Sequence, residues 1–378
     1  MSQPATLKVC QAVAVSLFEN GVDTMFGLMG DANMFMTDHY IRACRGKYVS
    51  AANEAGAICM AIGYSQVTGK LGVCSITYGP AVTNTITGLV EAAKGSVPLV
   101  LVTGSTSPSV RQHPQYAPQA DLAAAAGAGH EFIRSARTVG EDVARAVRRA
   151  LVERRPVLLE VPADLEWSDA EEFKVERVRI PENRALTSAS DDLDNAIGII
   201  AAAKRPVIVA GRGATSPEAR AAILRLAQRI QAPVATTLKG KDLFRGEPFN
   251  LGICGTLSTE TASGVIMESD CVIAFGASLT MYTLSHGAFR RNKRLVQINL
   301  EPEEVGRNVA PDAGIVGHPA EVANLMVHWL DEAEIPPSGA FTDELKARLE
   351  TEGPVERQFD LGDGTVDYFE ALRRLDDS

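Results

Sequence analysis

The chain has 378 residues, enough for two ordinary domains and a tail. With 46% apolar and 22% charged residues it suits a globular protein with packed cores. Its formal charge of −10 argues against nucleic acid, whose phosphates need clustered Lys and Arg, and no window approaches the ~20 apolar residues of a membrane span.

Apolar spacing from Leu7 to Asn20 predicts a helix stopped by Gly21. "DTMFGLMG" reads as a short strand entering a glycine turn. "KYVSAAN" is a strand, and "EAGAICMAIGYSQVTG" a helix packed with small residues. "LGVCSITY" is a buried strand, "GPAVTN" a turn, "TITGLVEAAKG" a helix and "VPLVLVTGS" another buried strand. A helix over Val139–Glu153 leads to the strand "PVLLEVP". Continuous apolar strands alternating with helices predict a parallel sheet covered on both faces.

The polar, proline-bearing stretch that follows predicts a linker, assigned to 169–188 between a first domain of 1–168 and a second of 189–331. The second domain has its own alternation: helix "LDNAIGIIAAAK", strand "RPVIVAGRGA", helix "PEARAAILRLAQRIQ", then strands "APVATTL", "CVIAFGASL" and "RLVQINL". Residues 332–378 read as a polar tail with one amphipathic helix, "VDYFEALRRL". The fold class is α/β, with two doubly wound parallel sheets, the second Rossmann-like.

None of the six cysteines (Cys10, Cys44, Cys59, Cys74, Cys254, Cys271) forms a CxxC pair, so a zinc site is not expected. Most sit in apolar runs, which suits packing in a reducing, cytoplasmic setting. The N-terminus lacks the basic-then-apolar pattern of a signal peptide.

Ligands of open parallel sheets sit outside the carboxyl ends of the strands. Three first-domain turns belong there: Gly27–Asn33, Asn53–Gly56 and Gly79–Asn84. Each offers Gly or Ala where a ligand needs close approach to backbone. Their ionisable groups are Asp31 and Glu54. Taken alone, Glu54 is a helix-start carboxylate that offsets the helix dipole.

The run from "YVSAANEAGAICMAIGYSQ" through "GVCSITYGPAVTN" to "VPLVLVTGS" resembles the pyrimidine-binding domain of thiamine-diphosphate enzymes, especially acetolactate synthases and related decarboxylases, lyases and carboligases. "FGLMGDANMF" before it and "RRPVLLEVPADLEW" after it extend the likeness. "KRPVIVAGRGA", "APVATTLKGKDLF", "LGICGT" and "DCVIAFGASL" look like the same family's central domain. The resemblance covers about residues 5–330, with the motifs in the expected order.

The resemblance implies a role for Glu54: its carboxyl bonds N1′ of the cofactor's aminopyrimidine, shares a proton with it, and so lets the exocyclic nitrogen remove the thiazolium C2 proton. It implies cofactor contacts from Gly30, Asp31, Ala32, Asn53, Gly79, Pro80 and Asn84. "YGPAVTN" departs from the family's Gly-Pro-Gly-x-x-Asn turn by having Ala81 for the second Gly. Asn53 stands where many relatives have His and cannot carry a proton near neutral pH. In "RQHPQYAPQADL", His113, Gln115 and Gln119 are the substrate candidates, against an ordinary polar surface loop. The other histidines form no metal-ligand spacing. "AGRGA" is not a full GxGxxG, and "GASLTMYTL" replaces a more polar stretch of acetolactate synthases, so FAD or ADP in the central domain is not favoured.

The family's third domain holds Mg²⁺ and diphosphate through Gly-Asp-Gly and a later Asn. Here "GDG" at Gly362–Gly364 has only 14 residues after it and no apolar strand before it, so it reads as a decoy. The expectation is that a separate small subunit supplies that domain, rather than that the chain is truncated. The implied protein is the large subunit of a split, heterotetrameric enzyme that acts on a 2-oxo acid or acyl substrate and makes or breaks a C–C bond next to a carbonyl. The alternatives are a 2-hydroxyacyl lyase, a non-catalytic or regulatory relative, and an electron-transfer flavoprotein-like nucleotide binder.

Overall fold

The computed structural model describes residues 6–107, 109–110, 112–180, 190–351 and 362–376. The chain divides into two compact units, Met1–Glu182 and Asn183–Ser378.

The first unit runs α1 (Val9–Glu19), β1 (Thr24–Gly27), α2 (Met34–Arg42), β2 (Lys47–Ser50), α3 (Glu54–Thr68), β3 (Gly72–Ser75), α4 (Pro80–Thr83), α5 (Ile86–Lys94), β4 (Leu99–Ser105), α6 (Gln119–Ala125), β5 (Gly129–Phe132), α7 (Val139–Val152) and β6 (Pro156–Pro162). Its six strands pair in the order β2-β1-β3-β4-β6-β5, every pair parallel. Alternate residues feed two cores. Met25, Val73, Val100, Val102, Val157 and Leu159 face one side. Phe26, Cys74, Leu99, Leu101 and Leu158 face the other. Burial on both faces is why these strands are apolar throughout.

The α3 helix starts because Asn53 is extended and its side-chain oxygen accepts the Gly56 N–H at 2.8 Å. It stops at Gly69, whose φ of 71° ends the helix in the left-handed region. The "GPAVTN" turn is one helical turn, α4, with Pro80 at its first position. Residues 168–178 run along this unit. Ser168 and Glu166 carbonyls accept the Val9 and Cys10 N–H groups at 3.0 and 3.1 Å, satisfying donors at the start of α1. Lys8 and Asp169 form a β-bridge and a 2.7 Å salt bridge, and Val178 N–H donates to the Asn20 side chain. Residues 181–188 of the expected linker lie outside the described residues.

The second unit runs α8 (Asp191–Ala202), β7 (Pro206–Ala210), α9 (Pro217–Ile230), β8 (Val234–Thr236), β9 (Asn250–Ile253), α10 (Glu260–Glu268), β10 (Cys271–Phe275), β11 (Arg294–Asn299), β12 (Ala313–Val316), α11 (Pro319–Glu332), α12 (Asp343–Thr351) and α13 (Tyr368–Asp376). The strand order β12-β11-β10-β7-β8-β9 is the Rossmann arrangement, all parallel. At its switch point the turns after β7 and β10 interlock. A Cβ on Gly211 would collide with the Gly276 carbonyl, and one on Gly276 with Gly213 backbone. Gly362–Gly364 lies in an exposed turn, with Thr365 N–H donating to the Gly362 carbonyl.

Candidate active site

In the first sheet the crossover reverses between β1 and β3, so their carboxyl ends flank the crevice where ligands of such sheets bind. Three elements converge there: the turn after β1, the start of α3 after β2, and the turn after β3.

The turn after β1 is held by a residue that sequence reasoning left out. Asn33 is buried, and its side-chain oxygen accepts the Gly30 N–H at 2.7 Å. Its amide donates to the Leu28 carbonyl at 3.2 Å and to the Ser75 hydroxyl of β3 at 2.9 Å. Asp31 is exposed and accepts from the Thr77 hydroxyl at 2.7 Å and the Ala32 N–H at 3.0 Å. A Cβ on Gly30 would meet Thr77 Cβ at 2.7 Å, so glycine lets the two turns touch.

Glu54 opens α3 and is half-buried. Its Oε2 accepts from the Asn84 amide at 2.9 Å. Its Oε1 has no hydrogen-bond partner among the described residues. Its field reaches the sheet: burial first, then the Glu54 charge, pushes the Cys74 thiol of β3 upward. Asn53 beside it caps the helix. Asn84 ends α4, so the turn after β3 delivers the donor and α3 delivers the acceptor. Pro80 and Asn84 are exposed, while Gly79 is buried.

Gly79 adopts φ 67° and ψ −116°, a conformation side chains resist. A Cβ there would collide with the Gln115 carbonyl. The Gly79 N–H donates to Gln119 Oε1 at 2.7 Å, and Gln119 Nε2 donates to the Gly104 carbonyl at 3.0 Å. Gln119, expected to face substrate, is thus buried with both ends of its amide engaged. His113 and Gln115 are half-buried in the loop before it. The His113 ring meets the Tyr78 ring edge-on at 5.6 Å, and its Nδ1 accepts the Gln115 N–H at 3.2 Å. A cleft of about 340 Å³ borders the same loop, lined by Gln115, Tyr116, Gln119, His130 and Glu160.

A third carboxyl in this region, besides Asp31 and Glu54, escaped the sequence reading. Glu166, in the segment after β6, is buried, and its Oε1 has no hydrogen-bond partner. Burial, with the Asp31 charge second, pushes it up to about 7. Among the described residues no group of three or more His, Cys, Asp or Glu side chains could hold a metal ion. No helix among them is long and apolar enough to cross a membrane.

The carboxyl end of the first sheet thus presents a free carboxylate oxygen on Glu54 between turns with little side-chain bulk. Residues 7–126 match the thiamine pyrophosphate enzyme N-terminal TPP binding domain, and residues 193–326 match the thiamine pyrophosphate enzyme central domain. The chain is 32% identical over 340 residues to an acetolactate synthase of Arthrospira platensis, covering 84% of this chain and 58% of that protein. It is 31% identical over 337 residues to the acetolactate synthase large subunit IlvB1 of Mycobacterium tuberculosis, covering 86% and 54%. To the acetolactate synthase large subunit of Corynebacterium glutamicum it is 28% identical over 326 residues, covering 84% and 52%. The chain therefore spans a little over half the length of these curated relatives.

Proposed function

This chain belongs to the thiamine pyrophosphate enzyme family, and from that premise we propose that it is the large subunit of an acetolactate-synthase-like enzyme acting on a 2-oxo acid or acyl substrate. The observation that carries the reading is the half-buried Glu54 at the carboxyl end of the sheet, one oxygen held by Asn84 and the other free. When bound, thiamine diphosphate supplies a carbon nucleophile able to make or break a bond next to a carbonyl.

The chain's own residues prepare that chemistry. Asn84 fixes the Glu54 carboxyl so that its free oxygen exchanges a proton with a ring nitrogen, the part of a general acid–base group. Gly30, Asp31, Ala32, Gly79 and Pro80 form the walls through backbone and small side chains. Asn53 caps α3 so that the helix begins at Glu54, which sets the height of the carboxyl in the crevice. His113 and Gln115 are the substrate-side candidates.

The relatives are nearly twice the aligned length, which supports a further domain in the working enzyme. To that domain we assign Mg²⁺ and the diphosphate, and we place it on a small partner subunit in a heterotetramer. A cytoplasmic location belongs to the same proposal, in keeping with six free cysteines.

The test is Glu54→Gln in the enzyme assembled with a partner bearing that domain. Turnover should fall by on the order of 10²–10⁴-fold, the usual contribution of a positioned acid–base group. Undiminished turnover would remove the proposal.

A further inference from the structure

We infer that Gln119 is a positioning residue: its amide clamps the Gly79 turn to the end of β4 and thereby sets where Asn84 meets Glu54. Its effect on catalysis rests on the function proposed above; the clamp itself does not.

The geometry allows few alternatives. One buried side chain accepts from the Gly79 N–H and donates to the Gly104 carbonyl, groups 40 and 15 residues away in sequence. Only a side chain with an acceptor and a donor on one planar head satisfies both. Without Gln119 the buried Gly79 N–H would be left unpaired, and the Gly104 carbonyl would keep only the Thr103 hydroxyl at 3.2 Å. On the other side, the Gln115 carbonyl packs so close to the Gly79 Cα that no Cβ fits. Gly79 is therefore gripped by two residues of the same loop, in a backbone conformation that few residues accept.

What Gly79 carries is the donor to Glu54. It caps α4, and Asn84 ends that helix. A single turn of four residues has too few internal bonds to hold its own position. It takes its place from Ala81 and Val82, which are buried in the core, and from its fixed end at Gly79. A shift of Gly79 passes to Asn84, and the 2.9 Å bond to Glu54 lengthens or breaks. The anchor at the far end is firm, because Gly104 lies in β4 and pairs with Val161 of β6. A Cβ there would meet Ala32 and Tyr78. The clamp thus joins the loop bearing His113 and Gln115 to the Glu54–Asn84 hydrogen bond, although Gln119 reaches neither Glu54 nor Asn84 itself.

The experiment uses the whole chain with two substitutions, Gln119→Met and Gln119→Glu. Amide hydrogen exchange over residues 79–85 reports local opening directly. Gln119→Met removes both bonds at similar volume and should speed exchange there by about tenfold, the effect of losing roughly one net hydrogen bond, with β4 unchanged. Gln119→Glu keeps the acceptor and, while the carboxyl is protonated, also the donor. Exchange in this variant should be slow at low pH and fast once the carboxyl ionises, after correction for intrinsic rates. That comparison within one protein stands even if the methionine variant does not fold. In the assembled enzyme the same pH dependence should appear in kcat, with KM for substrate little changed. Unaltered exchange over 79–85 in the variants overturns the clamp, and normal kcat despite faster exchange overturns its positioning role. If the clamp effect is present but the wild-type assembly shows no turnover dependent on thiamine diphosphate, the functional reading fails and the clamp stands.

Discussion

The Thr77 hydroxyl donates to the Asp31 carboxylate at 2.7 Å, bridging the crevice between the ends of β1 and β3. Thr77 follows β3, Asp31 follows β1, and Gly30 leaves just enough room for the contact. Because the bond is exposed, Thr77→Val should cost about 1 kcal/mol or less in urea denaturation. The valine keeps the carbon packed over Gly30. Loss well above that would mean the turn depends on this hydroxyl far more than its exposure implies.

Removing the donor to Glu54 tests the site more directly. Asn84→Leu should leave the melting temperature within a few degrees, since Asn84 is exposed and α4 is short. Turnover of the assembled enzyme should fall by about tenfold, corresponding to one lost hydrogen bond in the reacting state. A variant as active as wild type would show that Glu54 needs no partner.

Glu166 makes stability depend on pH. Its carboxyl ordinarily titrates near 4.5 and is pushed up to about 7, first by burial and then by the Asp31 charge. A raised folded value means the neutral acid is the favoured form. The associated stability is complete below 4.5 and is lost as pH climbs through about 7. Glu166→Gln should flatten this slope and raise stability at pH 8, by about 3 kcal/mol at most. Chemical denaturation of both proteins at pH 5 and pH 8 decides it. Equal slopes would exonerate Glu166.

Gly79→Ala should be among the most damaging single-methyl additions in the first unit. It forces a side chain into φ 67°, ψ −116° and against the Gln115 carbonyl. A loss of about 2 kcal/mol or more is expected, readable as a fall of several degrees in Tm. Gly69→Ala, with a similar φ but open space around it, is the matched control and should cost less.

The thiols should fall into classes. Cys59 is exposed on α3 and should react first with a thiol reagent. Cys10, Cys254 and Cys271 are buried, which pushes their thiols up to about 11, 12 and 12, and Cys74 is also raised. These four should react only after denaturant is added. Early modification of Cys74 would contradict the packing of β3.

Both α/β units and the position of Glu54 were legible because they rest on local signals. Unbroken apolar runs such as "PLVLVTG" mark strands covered on both faces, and Asn53 before Glu54 marks a helix start. The edge strands were harder. "GHEF" in β5 has half-buried polar residues, and β9 and β12 are four residues long with glycine inside. Asn33, Glu166 and the inward turn of Gln119 were illegible for another reason. Each acquires its role from a partner distant in sequence: Ser75, Asp31 and Gly79 respectively. A polar residue in a loop reads as solvated until the fold brings that partner near. The hold on residues 169–178 is illegible in the same way, since Ala170, Phe173 and Val178 pack on the core and Ala170 N–H bonds the Leu7 carbonyl, far off in sequence.

The clasp between residues 7–10 and 166–170 ties the two sequence ends of the first unit together. The leading amides of α1 find their acceptors only beyond β6, and Lys8 meets Asp169 across 161 residues of chain. Closing so long a loop is entropically costly, so this seam pays back only once the sheet between its ends is in place.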